Sequence, residues 1–326
     1  MWNSFKNGFL PENDPITVLN NYPLIEELAQ SLPSYVANSS IRTSLINKLN
    51  NFNFGVLSQE EAERMMMLFS YFASAYIHAP GEPKVNLLPK EIAIPLTKLA
   101  KIVNRPPILS YASYCLYNWK RIDPNKPVEL GNVELLQNFT LSEGRRDENW
   151  FILVHVDIEA KAAKAINMIR NGGSFEEMYD SMTEMYNTLC RMPEECSTDV
   201  YFDKVRPYIF SYENIVYEGV NTEPLTYRGE TGAQSSCIPA IQIALGVRHK
   251  DSMLTEHLKD MRNYMPIEHR TWLGELEKNW NLRNSATPYP YFGSLDDPLD
   301  VDVELKEKYN QFLSRLVDFR KKHLEY

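Results

Sequence analysis

The sequence predicts an all-α fold in two unequal parts, and three observations carry that reading. Most segments repeat their apolar residues with the 3.6-residue period of a helix, and few alternate with period two. The doublet Pro106-Pro107 breaks the periodicity, because proline removes a backbone donor and disfavours helix in the residue before it, so the chain divides into 1–105 and 106–326. At 326 residues, with 44% hydrophobic and 24% charged, the chain has ordinary globular composition and enough apolar surface to enclose a cofactor.

Taken in order, helices are expected over 25–49 and 58–76, the second introduced by Ser58-Gln59-Glu60-Glu61, where a serine cap precedes an acidic first turn. An irregular stretch from His78 to Pro83 follows, then a helix over 90–103. Beyond the prolines, helices are expected over 108–117, 151–171, 175–191, 200–208, 236–246, 254–264, 269–278 and 303–323. Segments 120–149, 211–235 and 279–302 read as loops; loops of such length in a compact domain carry function or move.

The net charge of -9 and the lack of any Lys/Arg-rich run argue against nucleic acid as a partner. The start carries no apolar leader, and no stretch approaches the roughly 18 apolar residues of a membrane span, so a cytoplasmic protein without membrane contact is expected. Cys115, Cys190, Cys196 and Cys237 are scattered without a C-x2-C pair and read as reduced thiols. Phosphate loops, H-E-x-x-H and G-x-S-x-G are absent, leaving the common hydrolases and phosphotransferases without a motif.

Two of the six histidines stand on strongly apolar helices. His323 closes a stripe of Leu305, Tyr309, Phe312, Leu316 and Phe319 at spacings of three and four, which places all six on one helix face. Such a histidine is either a satisfied core residue or a ligand; Arg320, one turn earlier, can reach a carboxylate beside the imidazole. His155 lies in the apolar run Phe151-Ile152-Leu153-Val154-His155-Val156, either packed in the core or facing a pocket as hydrogen-bond partner or proton acceptor. Arg206 is flanked by aromatics, as a carboxylate-binding arginine often is, and a surface ion pair explains it equally. His269 opens a helix and suits a structural role, and His78, His249 and His257 stand in polar surroundings without a signal. The run Arg228-Gly229-Glu230-Thr231-Gly232-Ala233-Gln234-Ser235-Ser236 is rich in small residues, so it can approach a flat ligand or simply form a loop ending at a serine cap.

The run Arg105-Pro106-Pro107-Ile108-Leu109-Ser110-Tyr111-Ala112, with Asn118-Trp119-Lys120 and Asp123-Pro124-Asn125-Lys126-Pro127 after it, resembles the indoleamine 2,3-dioxygenases. The resemblance continues through Val216-Tyr217-Glu218-Gly219, Ala233-Gln234-Ser235-Ser236, Asp260-Met261-Arg262-Asn263-Tyr264-Met265-Pro266 and Arg320-x-x-His323-Leu324, and Leu88-Pro89-Lys90-Glu91 keeps the order in the first hundred residues. It implies a small helical domain (1–105) over a large one (106–326) that holds heme b, with O2 as co-substrate. It also implies cleavage of the indole C2–C3 bond of L-tryptophan, or a related indoleamine, to N-formylkynurenine. His323 is then the proximal iron ligand and Arg320 the partner of a heme propionate. Arg206 takes the substrate carboxylate; Tyr201, Phe202 and Phe151 supply pocket aromatics. Tyr111, Tyr114 and Cys115 surround the indole, and Thr231 and Gly232 form the small-residue loop beside heme and substrate.

Three departures stand out. His155 occupies a position that is serine in familiar animal members, so its imidazole could accept the indole N–H or bond to dioxygen. The given sequence runs three residues past His323, so no counterpart of the animal proteins' C-terminal lid is expected, and loops 211–235 and 279–302 are expected to exclude water. Gln242 stands where the animal members carry an aspartate near the heme region, which alters the local charge. The expected partner is a small aromatic molecule, with no obligate protein partner. A heme monooxygenase or peroxygenase on another aromatic metabolite is the first alternative. A non-catalytic heme-binding protein is the second, against which a carboxylate-binding Arg206 argues.

Overall fold

The computed structural model describes residues 6–171, 175–247, 251–286 and 303–325. Its first part holds α1 (Pro23–Ala37), α2 (Ile41–Leu49), α3 (Gln59–Ile77) and α4 (Lys90–Ile102). The helix expected over 25–49 is therefore two: Ser39 takes a left-handed backbone (φ 52°) between α1 and α2, and the polar turn residues Asn38, Ser39 and Ser40 end the first helix. Ser58 starts α3 as expected, its hydroxyl accepting from the Glu61 N–H while the Glu61 carboxylate accepts from the Ser58 N–H. From Ala62 to Ile77 this helix is buried on every face, and it forms the axis of the core.

Two buried ion pairs tie α3 to its surroundings, Arg64 to Glu26 of α1 and Arg105 to Glu63. The second stands beside the proline doublet, and the hydrophobic core runs without a break across it, from Phe9 to Phe319. The expected helix over 108–117 is a single π-type turn, Ala112–Leu116.

The larger part consists of α5 (Ser142–Asn171), α6 (Phe175–Cys190), α7 (Thr198–Lys204), α8 (Cys237–Ala244), α9 (Met253–Met261), α10 (Ile267–Ala286) and α11 (Val303–His323). Helix α5 begins nine residues before the expected start, and its carboxylates hold the loops around it. Glu148 accepts from the Phe139 and Thr140 N–H groups and from the Thr140 hydroxyl. Asp157 accepts from the Leu130 N–H and the Thr188 hydroxyl of α6. These bonds make a long, largely buried helix tolerable with acids inside it.

Two expected loops contain strands. Within 120–149, β2 (Trp119–Arg121) pairs antiparallel with β3 (Val133–Leu135). Within 211–235, β4 (Tyr212–Tyr217) pairs antiparallel with β5 (Leu225–Tyr227) and parallel with β1 (Leu87–Leu88), in register Leu87 to Val216 and Leu88 to Tyr217. This small sheet joins the first hundred residues to the segment leading into the cavity described below. Of the third loop, α10 extends to Ala286, and 287–302 lies outside the described residues. No described helix is long and apolar enough to cross a membrane.

Candidate functional site

A cavity of about 540 Å³ opens between α5, the 231–239 segment, α8, α9 and the end of α11, within the size range of small-molecule sites. From Phe312 to Phe319 the apolar stripe of α11 turns inward as expected, and the Tyr309 hydroxyl donates to the Leu245 carbonyl at 2.7 Å; the Leu305 side chain lies outside the described residues, and His323, expected in the same buried stripe, is exposed at its end. That packing fixes the helix and brings His323 and Arg320 to the cavity wall. The His323 ring is accessible from the cavity, yet it stands under enough protein that burial, and then the charge of Arg206, lower its pKa. That shift favours the neutral imidazole, the form that binds a metal.

Opposite stands His155 of α5, 6% exposed, its ring centre 6.3 Å from that of His323 and its plane turned by 83°. Nδ1 lies 2.8 Å from the Phe151 carbonyl one turn earlier, a geometry in which Nδ1–H donates and Nε2 keeps its lone pair. Phe151 packs on the ring at 4.4 Å and Tyr111 meets it edge-on at 6.0 Å. Burial pushes the His155 pKa down to about 4, the hydrogen bond to the Phe151 carbonyl opposing it and the nearby His323 adding a smaller push down.

Gly232 lies against the His323 side of this gap. A Cβ there would sit 3.2 Å from both Cε1 and Nε2 of His323, so only glycine leaves that edge of the imidazole clear. Gly229 answers a different demand: a Cβ at that position would come within 2.2 Å of the Ile209 carbonyl oxygen, because the backbone of 209–211, between the short turn and β4, runs directly beneath. Thr231 caps the short turn that follows, its hydroxyl accepting from the Ala233 N–H, and it lines the cavity.

The other expected residues divide. Tyr111 lines the cavity and donates to Glu159 at 3.0 Å; Tyr114 and Cys115 are fully buried behind it. Phe151 stacks on Tyr201 at 4.1 Å, forming an aromatic wall next to His155. The buried hydroxyls of Tyr114 and Tyr201 approach each other without forming a well-shaped hydrogen bond. Phe202 is 60% exposed and is not part of the cavity wall. Arg206 sits at the start of a short turn, Arg206–Ile209, exposed and, like Phe151 and Tyr201, outside the cavity lining, with its charge felt by both His323 and Glu230.

Several groups in or near the cavity were not visible as such in the sequence. Glu159, one turn beyond His155, accepts from the Tyr111 hydroxyl and from Ser235 Oγ at 2.5 Å; burial raises its carboxyl to about 7, with those bonds opposing. A carboxylate on a helix that otherwise reads as buried is the signal that could have found it. Glu230 is raised further, to about 8, by burial, with Arg206 opposing. His257 of α9, with no sequence signal, lines the cavity with Gln242 and Cys237. The site thus holds more titratable groups than its sequence suggested. His78 is half-buried against the Phe210 carbonyl and His249 lies outside the described residues. His269 is fully buried on Ser236 and Phe9, consistent with a structural role. All four cysteines are free thiols.

Residues 4–326 match the indoleamine 2,3-dioxygenase family. The chain belongs to that family. It is 30% identical to indoleamine 2,3-dioxygenase 1 of Rattus norvegicus, over 91% of this chain and 75% of the rat protein. It is 29% identical to the indoleamine 2,3-dioxygenase of Saccharomyces cerevisiae, over 98% of this chain and 76% of the yeast protein, and 29% identical to a Penicillium citrinum relative of the same name. Membership in the indoleamine 2,3-dioxygenases makes it an oxidoreductase of the dioxygenase class with a mostly helical fold, and it does not favour the monooxygenase or heme-storage alternatives.

Proposed function

We propose that this chain cleaves the indole C2–C3 bond of L-tryptophan, or of a closely related indoleamine, with dioxygen to give N-formylkynurenine, and that it does so on a heme b held by His323. The observation that carries the reading is the placement of His323 at the wall of a large cavity, with Gly232 against its Nε2–Cε1 edge. The residues fit the group. Among the described residues no cluster of three His, Cys, Asp or Glu forms a chelating metal site, and a single imidazole is the donor an iron in a macrocycle requires. Arg320 at the cavity wall suits a propionate. A bound heme supplies the iron on which dioxygen is activated, and the protein supplies position and surroundings.

The substrate reading rests on the family resemblance and on the groups behind the cavity wall, where Tyr111, His155, Thr231 and Gly232 line the cavity and the rest stand outside its lining. Arg206 would take the carboxylate of the amino acid, and its charge is available for that purpose because Glu230 beside it is protonated at neutral pH. Phe151 and Tyr201, stacked on one another, would pack on the indole ring, with Tyr111, Tyr114 and Cys115 closing its far end. Thr231 and Gly232 would let the ring approach closely. His155 keeps an Nε2 lone pair toward the cavity and can accept the indole N–H during turnover. The division of the chain into 1–105 and 106–326 assigns all of these residues to the second part.

Turnover of L-tryptophan by heme-reconstituted protein under isotope-labelled dioxygen tests the proposal. Two labelled atoms in N-formylkynurenine are expected; one labelled atom, or no product with any indole amino acid, contradicts it.

A further inference from the structure

The distance between His155 and His323 has a meaning of its own. An imidazole nitrogen binds a metal at about 2.0–2.1 Å and stands roughly 1.1 Å in front of its ring centre, so two imidazoles on opposite faces of one iron have centres about 6.2–6.4 Å apart. The two ring centres stand 6.3 Å apart, with their planes turned by 83°. We infer that His155 is a second axial ligand, so that in the resting protein both imidazoles hold the same heme iron and His155 must leave before a diatomic ligand can enter. The inference rests on the heme reading above.

Three further features of His155 agree. Its Nδ1–H donates to the Phe151 carbonyl at 2.8 Å, the bond to a backbone carbonyl that ligating histidines characteristically make with their other nitrogen, and it leaves Nε2 as the free lone pair. Phe151 at 4.4 Å and Tyr111 at 6.0 Å hold the ring from two sides, so the nitrogen is aimed before anything binds. The ring is also anchored on α5, the 30-residue helix braced by Asp157 and Glu148, while His323 stands on the last turn of α11. Opposed ligands on two separate helices make the site a clamp, with one jaw fixed.

The step is a ligand exchange. The bond from His155 Nε2 to iron breaks, the lone pair returns to the ring, and the incoming ligand donates its own pair; no electron or proton is transferred. Because Nδ1 stays on the Phe151 carbonyl, the released ring keeps its tautomer and its Nε2 becomes available to accept a substrate N–H.

The test is spectroscopic, on the full chain loaded with heme. Ferric wild type at mildly acid pH is expected to give the absorption and electron paramagnetic resonance spectrum of low-spin iron with two nitrogen axial ligands. His155→Leu, which keeps most of the side-chain volume, is expected to retain heme and become high-spin. If His155 is bound in about 90% of ferrous molecules, the apparent Kd for carbon monoxide is about tenfold higher in wild type than in His155→Leu. As a second variant, His155→Ala is expected to return to low spin when free imidazole is added. A high-spin wild type, or a low-spin signal that survives both substitutions, overturns the inference while leaving the heme reading intact. Wild type that takes up no heme contradicts the heme reading itself, and heme content reports that separately.

Discussion

Gly232 and His323 meet so closely that a single added methyl at position 232 would stand 3.2 Å from the Nε2 and Cε1 atoms of the imidazole. That contact is tighter than ordinary packing, and it falls on the edge that the proposed iron must reach. Gly232→Ala is therefore expected to keep the fold, because the clash is with a side chain at the cavity wall, and to weaken heme retention. Overpacking of this kind costs about 1–3 kcal/mol, roughly a ten- to hundredfold loss in heme affinity at the middle of that range. Heme transfer to an apo-globin acceptor measures it; unchanged retention means that the imidazole edge does not face the group.

Gly229 offers the complementary case. A Cβ there would meet the Ile209 carbonyl at 2.2 Å and the backbone of Phe210 and Ser211 just behind it, with no flexible side chain able to yield. Gly229→Ala is expected to destabilise the chain by about 1–3 kcal/mol or more in urea unfolding. Gly274 in α10 has nothing within 4 Å, so Gly274→Ala is expected to stabilise by about 0.5–1 kcal/mol. Equal effects at the two positions would count against the packing described for the 228–236 segment.

Arg206→Leu is expected to weaken L-tryptophan binding with little effect on heme content. The charged hydrogen bond to a carboxylate contributes about 1.5–3 kcal/mol, a loss of roughly ten- to a hundredfold in affinity. Substrate titration followed in the heme spectrum measures it. A wild-type dissociation constant in the variant would remove Arg206 from the substrate site.

The same arginine gives the site a pH dependence through Glu230. Burial holds the Glu230 carboxyl at about 8, so the side chain is protonated and neutral below that value and becomes a carboxylate as pH rises through it. The new negative charge pairs with Arg206 and repels the substrate carboxylate, so the KM for L-tryptophan should climb above about pH 8, by about two- to fivefold for a partly solvated pair. Glu230→Gln should show no such climb. An identical pH profile in wild type and variant would exclude Glu230 as the origin.

What the sequence disclosed and what it concealed follow one physical line. The capping box at Ser58 and Glu61 and the stripe from Phe312 to Phe319 are local patterns, complete within one or two helical turns, and both are present as read. Strand β4 was read as loop because its pattern is spoiled locally. Asn214 adopts a left-handed backbone (φ 56°), the register against β5 shifts between Tyr212 and Ile215, and the strand is stabilised by β1 from more than a hundred residues earlier. The helix expected over 25–49 failed for a similar reason, since apolar periodicity runs on through a turn that only the polar triplet at Asn38 reveals. In the site, His155 and His323 each drew attention by standing on apolar helices, but their opposition across 6.3 Å belongs to the tertiary fold. Glu230 was passed over within a run read for its glycines, and its raised pKa is a property of the burial that the fold imposes.

The central claim is that His323 holds the heme, and the direct measurement is heme bound per chain in His323→Ala, purified beside wild type and His257→Ala. His257 also lines the cavity, on the partly exposed helix α9, and so controls for damage to the wall. Wild type and His257→Ala are expected to carry heme and His323→Ala to lose most of it while keeping its helical circular dichroism. A folded His323→Ala with the heme content of wild type would contradict the account.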